Sequence, residues 1–382
     1  MTTIREIIRQ RFSPIQPLSP GIYHFQAPTD DNRNFRLHLR IEKDGSGILL
    51  VNAATVLHLN QTATEYAYLL IQGKSENEAA EFIASRYRIS FKQALQDYAD
   101  FIERIDTLVT IPDLDPVTYL QFDRKPPFSD LSAPLRLDCA LTYQLPPNID
   151  PSLAPVKLVR RELSTTEWIT ILDKAWEIGI PHIIFTGGEP TLRDDLVDLI
   201  RHAEALGQVT GMCTDGIALV DKKFLDQLLQ TGLDHLLIIF QDRPECWIAI
   251  ENAVKEDISI TIHLTLSTNN KSVYPRWMTQ LAATGIRNIS LSAADKNLTT
   301  VLSSAREKAS NLGFTLVWDI PVPYSQINPF SLEFEEHEYQ SGAGIAWLYI
   351  EPDGDVLPDK SINQVLGNLL NDPWEKILHK PS

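Results

Sequence analysis

The chain has 382 residues, length enough for two or three domains, and its 43% apolar and 22% charged residues suit a folded globular protein rather than a disordered one. Fifty acidic residues against 34 basic ones leave a net charge of −16, which disfavours nucleic acid and anionic membrane surfaces as partners. Three scattered cysteines exclude a disulfide framework and no apolar run approaches the roughly 20 residues of a membrane span, so a cytoplasmic protein is expected.

The charged opening MTTIREIIRQRFSP reads as no signal peptide. Within it Ile4, Ile7, Ile8 and Phe12 recur at helical spacing and predict a short helix over 3–12. A small α+β unit over 15–110 follows. Residues 35–41 alternate apolar and polar, the pattern of a half-buried strand, and Asp44-Gly45-Ser46-Gly47 turns the chain into a return strand at 48–51. A further strand at 56–59 leads into helices. Thr62 with Glu65, and Ser75 with Glu78, have capping-box spacing at two helix starts. Phe91, Ala94, Leu95, Tyr98, Ile102 and Ile105 form the apolar stripe of a third helix. Pro112, Pro116, Pro126, Pro127 and Pro134 mark 111–134 as a linker.

From 135 to 320 strands and helices alternate. Strands are expected at 135–142, 182–186, 208–213, 234–240, 258–266 and 287–292, with a last one near 314–318. Between them run helical stripes such as Trp168, Ile171, Leu172 and Ala175 behind a Ser164/Glu167 capping box. Repeated βα units require a parallel sheet covered by helices. Six such units suit an α/β partial (β/α)6 TIM-type barrel, with an open doubly wound sheet as the competitor. The tail, 342–382, reads as a hairpin around Pro352-Asp353-Gly354 and a short closing helix.

The sharpest local signal is Phe185-Thr186-Gly187-Gly188-Glu189-Pro190, placed where a strand ends and its helix begins. In parallel α/β folds that end of the sheet forms the site. Two glycines let the backbone approach a ligand, and a carboxylate beside them suits a ligand ammonium. A plain Gly-Gly turn would look the same.

Those residues, with 161–168 before them, Gly207–Gly216 and Gly232-Leu233-Asp234-His235 after them, resemble the radical S-adenosylmethionine (radical SAM) superfamily. The resemblance implies the partial barrel, S-adenosylmethionine as a ligand, and Gly187, Gly188 and Glu189 at its amino group. It also implies a CxxxCxxC motif after the Leu141-Thr142-Tyr143 segment, holding a [4Fe–4S] cluster. Here the three positions fall near Leu145, Ile149 and Ser152. Leucine and isoleucine cannot ligate iron and serine is a poor soft donor, so the cluster is not expected. Cys139, Cys213 and Cys246 lie far apart and read as small buried hydrophobes, with Cys213 the candidate for a redox thiol at the barrel mouth. His182, His235 and His263 fall on predicted strands, but without HxH or HExxH spacing no metal site is predicted.

Residues 15–110 resemble PqqD-like, winged-helix-like peptide-recognition domains in element order and in Leu57-His58-Leu59-Asn60 before a helix. The tail, with 351–358, Val365–Leu369 and Asp372-Pro373-Trp374, resembles a SPASM/twitch-like auxiliary region, with Asp359 and no cysteine after Leu357-Pro358. The resemblances imply a precursor peptide or an active modification enzyme as partner. They also imply a clamp in which a peptide adds to an edge strand, read as 48–51, beside the third helix with Phe91, Leu95 and Tyr98. The chain therefore reads as a radical-SAM-like, cluster-free protein of a peptide-modification pathway that binds peptide and S-adenosylmethionine, with no catalytic residue assigned. A cluster-free S-adenosylmethionine-dependent transferase and a true radical enzyme with atypical ligands are the alternatives.

Overall fold

A computed structural model describes residues 15–28, 35–52, 55–111, 114, 120, 131–147, 159–318, 320–322, 327–329 and 342–378. The expected 3–12 helix and nearly all of the proline-rich stretch lie outside them. The chain divides into two compact units at 132/133.

The first unit is an antiparallel sheet followed by three helices. Strands β1 (Gly21–Gln26), β2 (Arg36–Ile41), β3 (Gly47–Val51) and β4 (Thr55–Leu59) lie side by side in chain order. Strand β1 was not among the expected elements, although Tyr23-His24-Phe25-Gln26 alternates apolar and polar. Leu37, Leu39, Leu49 and Leu57 point from the sheet into a core completed by Ile83, Tyr98 and Ile105. These last three come from α2 (Glu76–Tyr87) and α3 (Phe91–Thr110), which follow α1 (Gln61–Ile71).

Three local expectations change. The 35–41 strand is buried on both faces, Arg36, His38 and Arg40 included. Strand β3 is not an edge, because β2 pairs on one side of it and β4 on the other. Among the described residues β4 pairs with β3 alone, so β4 presents the edge next to the helices. Finally, Asn60 caps α1 by accepting from Ala63 N, and Glu65 does not serve the cap. Its buried carboxylate instead receives two 2.8 Å hydrogen bonds from Arg86. The Ser75/Glu78 box forms as its spacing requires.

The second unit carries the alternating pattern. Strands β5 (Arg136–Thr142), β6 (His182–Gly187), β7 (Val209–Thr214), β8 (His235–Ile239), β9 (Ser259–Leu266) and β10 (Asn288–Ala293) pair in parallel in chain order, and β11 (Thr315–Leu316) extends the β10 edge. Apolar residues on alternate positions, such as Leu137, Phe185, Met212 and Ile238, pack under helices that include α4 (Thr165–Ile178), α5 (Leu196–Leu206), α6 (Lys222–Gln230) and α7 (Pro244–Ala253). The Ser164/Glu167 capping box starts α4 as expected. The other face is largely polar, with Arg136, Asp138, His182, Thr186, His263 and Ser290. This inner polar, outer apolar division is that of a partial TIM-like α/β barrel.

The tail completes the sheet rather than standing apart. Strand β12 (Trp347–Ile350) pairs in parallel with β5, and β13 (Asp355–Leu357) and β14 (Gly367–Asn368) continue outward antiparallel. Leu348, Ile350, Val356 and Leu369 join the barrel core, so the hairpin covers the edge that β5 would otherwise expose.

Candidate functional site

The carboxyl ends of β5, β6 and β7 converge on Gly187, Gly188 and Glu189. Gly187 ends β6 with φ +126°, a backbone conformation that favours glycine. A Cβ on Gly187 would meet the Thr142 carbonyl oxygen, and one on Gly188 the Gln144 carbonyl oxygen. Those carbonyls are engaged: Gly188 N donates to Thr142 O at 2.7 Å and Glu189 N to Gln144 O at 2.9 Å. The glycines are therefore required for two backbones to approach. Glu162 fixes the partner segment by accepting from Thr142 Oγ1 at 2.6 Å and Tyr143 N at 3.1 Å.

Glu189 is 1% exposed and its carboxylate turns inward. Oε1 accepts from Thr191 N (3.1 Å), Thr191 Oγ1 (2.6 Å) and Thr214 Oγ1 (2.8 Å), and Oε2 accepts from Asp215 N (2.7 Å). Oε1 thus has more donors than lone pairs, and the side chain works chiefly as a staple between the ends of β6 and β7. Burial, and then the neighbouring Asp215 carboxylate, raise its pKa.

Asp215 follows β7 and is 7% exposed. Its Oδ1 accepts from Ile217 N at 2.9 Å, and its side chain also shares a hydrogen bond with Glu189. Arg243, the residue before α7, bears on Asp215 electrostatically and pairs with Glu245. Neither residue was singled out from the sequence. The signal available was position alone: each follows a strand of a parallel sheet, at the end where ligands bind.

The cysteines do not fit a [4Fe–4S] cluster. Cys139 faces the helix layer with Leu137 and Phe185, and Cys246 packs there from α7. Cys213 faces the opposite side of the sheet with Ile184, Leu237 and Ile239. All three are buried, and burial pushes the Cys213 thiol up to about 12 and the Cys246 thiol up to about 11. The redox role considered for Cys213 has no thiolate to start from at neutral pH. Leu145 lies in the described segment after β5, whereas Ile149 and Ser152 lie outside the described residues.

Nor do the three histidines share a ligand. His182 and His235 approach at Nε2 to Nε2 3.3 Å at the amino-terminal ends of their strands, away from Gly187. Burial and Arg136 lower His235 to about 4, which keeps it neutral. His263 bonds to Ser290, Thr265 and Ser292 instead. Among the described residues the cluster of possible metal-ligating groups is Glu351, Asp353 and Asp355 at the tail hairpin. No described helix is long and apolar enough to cross a membrane.

Within this partial barrel, residues 151–245 match the model of the Radical SAM superfamily. The chain is 35% identical over 127 residues to the PqqA peptide cyclase of Granulibacter bethesdensis, 33% of this chain and 32% of that one. It is 37% identical over 116 residues to the PqqA peptide cyclase of Gluconobacter oxydans, 30% of this chain and 32% of that one. The chain thus spans about a third of the length of the curated relatives it matches. Streptococcus suis SuiB bound to precursor peptide SuiA superimposes with a TM-score of 0.61 over 94% of this chain and 89% of that one. SuiB bound to S-adenosylmethionine gives 0.59 over 94% and 88%. At 16% identity these two likenesses are of fold.

Proposed function

We propose that this chain is a cluster-free, radical-SAM-like protein that binds a peptide and an S-adenosylmethionine-type ligand in a peptide-modification pathway. The observation that carries it is a contrast within one site. The Gly187-Gly188 cradle is built intact, while the cysteines that would hold a cluster are absent from the segment after β5 and dispersed over both faces of the sheet. A true radical enzyme would need iron donors where Leu145, Ile149 and Ser152 stand. Bound S-adenosylmethionine would supply an ammonium, a carboxylate and a sulfonium. The carboxylates of Glu189 and Asp215 at that end of the barrel suit the first of these.

The peptide half rests on the front unit, read as PqqD-like and winged-helix-like. Its edge strand β4 leaves main-chain groups for an added strand. Beside it a cavity of about 370 Å³ lies between His58 and Asn60, Tyr66 of α1, and Asp97 and Phe101 of α3. Because β3 pairs on both sides, we read the proposed clamp at β4 rather than at 48–51. Tyr98 lies under it in the core rather than in the groove. The relatives named for a peptide cyclase, and the SuiB structure named for its precursor peptide, support a peptide as the partner.

Labelled precursor-type peptides encoded beside the gene, titrated with the full chain and followed by fluorescence anisotropy, test this half. Binding is expected. Asp97→Lys with Asp100→Lys at the cavity should change affinity by about tenfold, or about 1.4 kcal/mol. Absence of binding by every neighbouring peptide would make the front unit structural.

A further inference from the structure

The cavity beside β4 has a chemical character that narrows its occupant. Its floor is aromatic: Tyr66 of α1 and Phe101 of α3 line it with ring centroids 5.8 Å apart, and Leu59 and Ala63 extend the apolar lining. Its α3 wall is charged. Asp97 is half-buried and Asp100 exposed, and Arg104 follows one helical turn further on. Each carboxylate has its Oδ1 held by a glutamine of the preceding turn, Asp97 by Gln93 Nε2 at 2.6 Å and Asp100 by Gln96 Nε2 at 2.7 Å. Among the described residues neither carboxylate forms an ion pair, with Arg104 or any other cation. Burial, and then the Asp97 carboxylate, push the Tyr66 phenol up to about 12, so the floor stays neutral beneath a negative wall.

That combination receives a cation on an apolar stem. Aromatic faces attract a cation, and carboxylates beside them accept from its N–H groups. The edge of β4 decides how the cation arrives. In a strand added there, every second side chain points to the helix face, the face on which Leu57 and Leu59 enter the core. One such side chain, beside Leu59 and Asn60, reaches the cavity. An acidic anchor would meet like charge, and an apolar one would desolvate the carboxylates without pairing them. We infer that the cavity at β4 is the pocket for one lysine or arginine of the bound peptide, its cation set over Tyr66 and Phe101 and held by Asp97 and Asp100. The inference rests on the peptide half of the function proposed above and adds what that peptide must carry. Arg104 closes the wall with a positive charge and limits the pocket to one cation. The net charge of −16 favours a basic partner as well.

Fluorescence anisotropy with the full chain tests it, the probes being the labelled peptides encoded beside the gene. In a peptide that binds, every lysine and arginine is replaced singly by glutamine. One replacement should weaken binding to wild type about tenfold, the joint worth of an aromatic contact and two carboxylates at a partly exposed site. Exchanging that residue between lysine and arginine should keep most of the affinity. Asp97→Asn with Asp100→Asn should bind the unaltered peptide about tenfold more weakly, and the glutamine replacement should then cost little more, because both changes remove the same interaction. Asparagine keeps an oxygen for each glutamine, so the ligand-free melting temperature should not fall. Should it fall, Asp100→Asn alone, at an exposed position, repeats the comparison. If no glutamine replacement costs more than about twofold, or if the sensitive one costs as much in the asparagine variant as in wild type, the pocket assignment is overturned while peptide binding stands. Tight binding of a peptide without lysine or arginine overturns it equally. If no neighbouring peptide binds, the peptide half of the proposed function falls and the pocket with it.

Discussion

Gly188→Ala should destabilise the barrel unit by about 3 kcal/mol, the upper range for forcing a methyl group into a packed site. The reason lies in what the methyl group would meet. The nearest atoms to a Cβ on Gly188 are the carbonyl group of Gln144 and the carbonyl carbon of Tyr143, all backbone. No side chain can rotate away, so one of the two segments must move. Movement breaks the hydrogen bonds from Gly188 N and Glu189 N that join the end of β6 to the segment after β5. Gly187→Ala meets the Thr142 carbonyl group in the same way and adds about 1–3 kcal/mol of strain from its positive φ. Urea denaturation of each variant, followed by tryptophan fluorescence, measures the loss. A midpoint for the barrel transition within error of wild type would show that the close approach is not what these glycines are for.

The second large effect concerns the thiols. In the folded chain at pH 8 none of the three cysteines should react appreciably with a thiol reagent, and in urea all three should. Reaction needs thiolate and access. Burial raises all three thiols, Cys139 most, and pushes Cys213 up to about 12. Folding should therefore slow reaction by about a thousandfold or more. The result bears on function, because thiolates gathered at a barrel mouth to receive iron would react readily. Rapid labelling of two or three cysteines in the native protein would contradict the buried, dispersed arrangement.

Much of the barrel was legible because its signals are local. Alternating βα periodicity placed strands β5–β10 to within a residue or two at most ends, and Ser164/Glu167 marked the start of α4. Gly187 and Gly188 announced a close approach through residue type alone. What failed depended on partners distant in sequence. Glu65 has capping spacing from Thr62, yet Arg86 on the next helix takes it. The polar residues of β2 suggested a solvated face, but that face is covered. Strand 48–51 looked like an edge until β4 was seen to pair beyond it. Glu189 was chosen for its motif, whereas its oxygens are occupied by residues up to 26 positions away. Asp215 was passed over because its pairing with Glu189, 26 positions away, exists only in the folded chain. No residue pattern states it.

Anaerobic reconstitution with ferrous iron and sulfide, followed by S-adenosylmethionine titration of the same sample, tests the central claim most directly. The expected result is iron far below stoichiometric, no cluster signal by electron paramagnetic resonance after reduction, no 5′-deoxyadenosine, and the same S-adenosylmethionine affinity before and after treatment. Near-stoichiometric iron and sulfide, with a cluster signal and reductive cleavage of S-adenosylmethionine, would contradict a cluster-free binding protein and make the chain a radical enzyme with unusual ligands.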